Sequence, residues 1–260
     1  MNSSHSSKLA LAAVLLALVV AGPAAAISTS GAAPSDAAVG STMDVTYTLE
    51  EPLYENYNEW TLAGETGLES VTWTVTTYGV GDDEIEQTSY TGQSFTNPVS
   101  KAAGVAKVTV RVQGTVPTWS NWSYDPSQSL TVASFEETQE GGSTETILTS
   151  TSRPYTEESQ AARTAIEDAQ ATIDAAAGAG TDVSEAESLL SNAVSAYDAG
   201  NFGNAQDLAD DAGSAAESAQ QSSQLTSTLM LVGGGVVVLA VIVGGVYWYL
   251  SNRETYDKLG

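Results

Sequence analysis

The sequence predicts a multidomain chain: an all-β sandwich, then an α-helical segment of three alanine-rich helices, then one C-terminal transmembrane helix. Three observations predict it. Apolar residues recur at every second position from 42 to 150, at every third or fourth position from 155 to 222, and without interruption from 229 to 250. A period of two is the mark of a strand with one buried face, and a period near 3.6 that of a helix with one apolar stripe. The last run has 22 residues and no charge, so as a helix it reaches about 33 Å, enough to cross a hydrocarbon core of about 30 Å.

Residues 1–26 read as a secretory signal peptide: Lys8, the apolar run 9–21, then Ala24-Ala25-Ala26 with the small residues a cleavage site needs. The thirteen residues of that run would rise only about 20 Å, too short for a span. Residues 27–41 are small and polar without periodicity and read as a flexible leader. The sandwich, 42–150, takes strands from Met43/Val45/Tyr47/Leu49, Val71/Trp73/Val75, Val108/Val110/Val112 and Leu130/Val132, with further candidates at 60–62, 85–90 and 144–148. About seven short strands separated by turn residues such as Gly79, Gly81, Gly92 and Gly114 indicate two antiparallel sheets, with Trp73 at the centre of the core.

At Arg153-Pro154 the pattern changes, since proline cannot pair in a central strand and suits the approach to a helix. The helical segment, 155–222, opens with a helix that lines up Ala162, Ile166, Ala169, Ile173 and Ala176. After "GAGTD", Asp182 with Glu185 predicts a capping box for a second helix carrying Val183, Ala186, Leu190, Ala193 and Tyr197. Gly200 ends it, and a third helix carries Ala205, Leu208, Ala212, Ala215 and Ala219. Residues 220–228 either extend that helix or form a short polar hinge. In the span 229–250, Ala240 and Gly244 leave small residues where another helix could pack, which points to self-association or docking on a membrane partner. The tail, 251–260, is cytoplasmic and too short to fold.

Charge and composition exclude several function classes. Residues 27–228 hold five of the eight basic and 30 of the 32 acidic residues, a net charge of −25. Such a field repels nucleic acid and anionic headgroups. There is no cysteine, and the one histidine, His5, lies in the signal peptide. The mature chain therefore has no thiol or imidazole for Ser-His-Asp, Cys-His or zinc chemistry. No cofactor is expected.

Abundant Asp and Glu, little lysine, much Ala and Gly and no cysteine resemble the secreted, membrane-anchored surface proteins of halophilic archaea. In molar salt the Debye length is about 3 Å, so self-repulsion is screened. "VTWTV" followed by "GVAKVTVRVQG" is similar to the immunoglobulin-like modules of archaeal surface proteins, such as the polycystic-kidney-disease type, which implies an immunoglobulin-like sandwich. The elbow Tyr197, Gly200, Phe202, Ala205, Leu208, Ala212 resembles one helical hairpin of a tetratricopeptide repeat. A solenoid needs three or more such units, so a spacer or small packing domain is the plainer reading.

Three further stretches hold candidate site residues. "TWSNWSYDP" places Trp119, Trp122 and Tyr124 where rings could stack on a sugar, or else cap the core, and Asn121-Trp122-Ser123 is an N-glycosylation acceptor. "LYENYNEW" holds Tyr54, Tyr57 and Trp60 with the same two readings. "GDDEIE" gathers Asp82, Asp83, Glu84 and Glu86, a weak calcium candidate lacking the spacing of an EF-hand loop. The expected protein is a non-enzymatic, single-pass type I component of a cell envelope with its N-terminal part outside: a structural or interaction module, or an accessory subunit with a protein partner. The alternative is a carbohydrate-binding receptor using the exposed aromatics.

Overall fold

The computed structural model describes residues 27–54, 57–139, 142 and 144–223. The signal peptide 1–26, the run 229–250 with Ala240 and Gly244, and the tail 251–260 lie outside the described residues. Two compact units divide the chain: one holds the residues up to Pro117 and Leu130–Ser152, the other Thr118–Ser129 and the residues from Arg153 onward.

The first unit is built of strands β1 (Ser28–Ser30), β2 (Asp36–Ala38), β3 (Thr42–Glu50), β4 (Glu59–Glu65), β5 (Glu69–Tyr78), β6 (Glu84–Thr91), β7 (Ser94–Ser100), β8 (Lys107–Thr115), β9 (Leu130–Thr138) and β10 (Thr144–Tyr155). They form two five-stranded sheets in the orders β1-β3-β8-β5-β6 and β2-β10-β9-β4-β7. Neighbouring strands pair antiparallel, with Tyr47 opposite Val110, Trp73 opposite Val112, and Leu62 opposite Glu137. Burial alternates along β3 and β8, as a pleated strand with one covered face requires.

The covered faces of the two sheets meet through aromatic rings. Tyr47 of one sheet stands edge-on to Phe135 of the other at 5.3 Å, and Trp73 lies 4.9 Å from Phe95 and 6.3 Å from Phe135. Trp73 is fully buried and donates its indole N–H to the Gly92 carbonyl at 3.0 Å, which satisfies the one polar atom the ring carries. Gly64 on β4 is fixed by the same core. A Cβ there would lie 2.1 Å from Cε1 of Phe95, so the ring needs the space that glycine leaves.

The second unit contains α1 (Glu157–Gly178), α2 (Ser184–Asp198) and a third helix, α3, over 202–223, where the described residues end. Helix α1 begins with a capping box: the Ser159 N–H donates to Thr156 Oγ1 at 3.2 Å, and the Thr156 N–H donates to Ser159 Oγ at 2.8 Å. At α2 the expected box does not form. The N-cap position is Val183, and the Asp182 carboxylate accepts instead from the N–H and hydroxyl of Ser184. The buried stripe of α1 is the one its spacing predicts. On α3 it runs through Ala205, Ala209, Ala212 and Ala216, with Leu208 and Ala215 only half-buried.

The expected fold class needs correction. Ten strands in two sheets replace about seven in an immunoglobulin-like sandwich, because the leader 27–41 supplies β1 and β2, and "SFTNPVS" supplies β7. Asn97-Pro98 hides β7 in the sequence. The strand lies at a sheet edge, where a proline without N–H is tolerated. The transmembrane helix is also corrected: the fold is two sheets and three helices, and among the described residues no helix is long and apolar enough to cross a membrane. Helix α1 has the length, but it carries Glu157, Glu158, Arg163, Glu167, Asp168 and Asp174.

Candidate functional site

The aromatic loop expected at the rim of the sheets belongs to the helical unit. Trp122 packs edge-on against Phe202 at 5.0 Å, Phe202 lies 5.3 Å from Tyr197, and Tyr124 stands edge-on to Tyr197 at 5.8 Å. Tyr197 is fully buried, and Trp122 and Tyr124 are half-buried around it. Gly200 makes the elbow possible. Its φ of +74° is a left-handed conformation that ends α2, and its Cβ position lies 3.3 Å from Cδ1 of Trp122.

Polar groups clamp the same loop. The Tyr124 N–H donates to the Asp198 carboxylate at 2.7 Å, and its carbonyl accepts from Arg163 Nη1 at 3.1 Å. The Arg163 guanidinium also lies over the Tyr124 ring at 4.5 Å and pairs with Glu167 at 3.0 Å. Burial and the neighbouring Glu167 push the Tyr124 phenol up from its ordinary range, while Arg163 opposes them. Gln128 is buried and donates to the Pro154 carbonyl at 2.9 Å and to the Tyr197 hydroxyl at 3.3 Å. None of Arg163, Gln128 and Asp198 stands out in the sequence, because each meets the loop only through the folded chain.

The structure therefore does not gather Trp119, Trp122 and Tyr124 into an open platform. Two of the three rings are engaged in packing, and Trp119, half-buried, donates its indole N–H to the Asn121 carbonyl at 2.8 Å. Asn121 is exposed, and Ser123 of the same acceptor motif donates its hydroxyl to the Pro126 carbonyl at 2.7 Å. Trp60 is buried and donates to the Leu53 carbonyl at 2.9 Å, so it caps the core between the sheets.

The acidic turn disperses its carboxylates as well. Asp82, at φ +68°, pairs with Lys107, whose ammonium also lies 4.6 Å from the centre of the Tyr78 ring. Glu84 and Glu86 lie on the edge strand β6 beyond the turn. Among the described residues no cluster of three or more Asp, Glu or His side chains is placed to hold a metal ion.

A concave feature also lies wholly within the helical unit. Between α1 and α3 runs a groove of about 890 Å³ whose lining comes from Tyr155 to Thr172 and from Gln206 to Glu217. Its lining mixes alanine and glycine with acids, amides and hydroxyls.

No family model and no curated protein matches this chain. What it does has to be read from the side chains that its two units leave exposed.

Proposed function

We propose that this protein is a non-enzymatic cell-envelope component, an accessory or interaction subunit held at the cell membrane with residues 27–228 outside. The signal-like run at the N-terminus supports that placement. The strongly acidic ectodomain fits salt-rich surroundings, as in the surface proteins of halophilic archaea that the composition resembles.

The observation that carries the reading is the clasp of loop 118–129 onto the helical hairpin. A passive spacer needs only a helix. Here four rings, one of them under a cation, a buried glutamine and a carboxylate fix the elbow into a small rigid body. Rigidity of that kind lowers the ordering cost of association, which suits a surface that meets a partner. The same clasp uses the rings a sugar would need, so the geometry favours a protein partner over a carbohydrate.

Purification of the detergent-solubilised full chain from its native membrane in high salt tests the proposal. A partner that co-migrates in stoichiometric amount is the expected result, and a clean monomer would overturn it.

A further inference from the structure

We propose that the groove between α1 and α3 is the docking surface for a basic helix of a partner protein. This rests on the accessory-subunit reading and names the part of the chain that makes the contact.

The groove has the dimensions of a helix. Its α1 wall extends from Glu157 to Thr172, about four turns or roughly 22 Å. A helical cylinder of that length and about 10 Å diameter occupies about 1,700 Å³, so a groove of about 890 Å³ would take about half of it. Ala169 and Ala209 at its base are already buried in the helical core, so the accessible floor is Ala161 and Ala165 on α1 with Gly213 on α3. Gly213 interrupts an otherwise good helix, at a cost of about 1 kcal/mol relative to alanine. Its Cβ position is 4.0 Å from the Ala169 Cα, so alanine would fit against α1 in ordinary contact. Close packing between α1 and α3 does not require the glycine; an incoming third backbone would benefit from it.

Charge selects the occupant. Glu157, Asp168, Asp210 and Glu217 line the groove, and no basic residue does. Eleven residues separate the first pair along α1 and seven the second along α3, spacings of about 16 and 10 Å. Carboxylates spread in that way do not converge on one small cation, and no metal cluster forms among the described residues. They do match lysines or arginines repeated along one helix. A second copy of this chain is a poor occupant, because its own net charge is −24.

The test places p-benzoylphenylalanine at Thr164 of the full-length chain, irradiates native membranes, and identifies the cross-linked peptide by mass spectrometry. The expected peptide is a helical partner segment with small residues on one face and Lys or Arg flanking it. Filling the groove with Ala165→Leu and Gly213→Leu should abolish that product while helical circular dichroism is retained. Reversing the rim with Asp168→Lys, Asp210→Lys and Glu217→Lys should abolish it as well. Cross-links confined to a second copy of the chain or to an acidic segment would overturn the proposal, as would a yield unchanged in the filled variant. A partner that co-purifies but cross-links only to probes on the sheets removes the groove and keeps the accessory-subunit reading. A chain that purifies alone removes both.

Discussion

Glu137 is turned inward on β9, on the same strand face as Phe135, and only 6 % of its surface is exposed. It stands opposite Leu62 on one side and Glu145 on the other. Burial, and secondarily the Glu145 charge, push its carboxyl above the ordinary range. A raised folded-state value means the native state binds the proton more tightly than the unfolded chain. The favourable contribution is therefore present at acid pH and lost as pH rises through the folded value. Glu137→Gln should make the sheet unit more stable near neutral pH, and the gain should shrink as pH falls below the usual glutamate range. Denaturant unfolding followed across that range checks it; a variant less stable than the parent at neutral pH would contradict the assignment.

Among the helical elements, the elbow of α2 and α3 depends on residues far away in the chain. Trp122→Ala removes a half-buried ring from Phe202 and Gly200 and should cost the helical unit about 2–3 kcal/mol. Trp119→Ala touches no ring of that cluster and should stay within about 0.5 kcal/mol. Urea unfolding read at the helical band separates the two, and equal losses would remove the clasp from the account. The helices, and the stripes of α1 and α2, were legible in the sequence because an apolar period is a local property, whereas α3 turns Ala209 and Ala216 inward in place of Leu208 and Ala215. The clasp was not: the bonds from Arg163, Gln128 and Asp198 span 39, 69 and 74 residues. Strand β7 escaped for a different reason, since Pro98 marks a strand as improbable unless its edge position is already known.

For the whole molecule, the dominant quantity is a net charge of −24. Ion pairs such as Lys107–Asp82, Arg111–Asp44 and Arg163–Glu167 lie at least partly in water. Surface pairs of that kind contribute under about 1 kcal/mol each and cannot offset the repulsion. Raising sodium chloride from about 0.1 M to about 1 M shortens the Debye length from about 10 Å to about 3 Å. Tm should therefore rise, by about 2–4 °C for each kcal/mol of repulsion removed. Calorimetry in the two salts checks it, and a flat Tm would mean that the carboxylates are already far enough apart.

The sequence by itself determined the alternation of the strands, the start of the helices after Pro154, the acidity, and the lack of thiol and imidazole in the chain after residue 26. Each is a matter of composition or of neighbours within a few positions. Only the tertiary structure decided that Trp122 and Tyr124 close on the helical elbow, and that a groove between α1 and α3 is left over Ala161, Ala165 and Gly213. Period and propensity specify which face of an element is apolar, whereas the partner that covers it is set by packing between residues far apart in the chain.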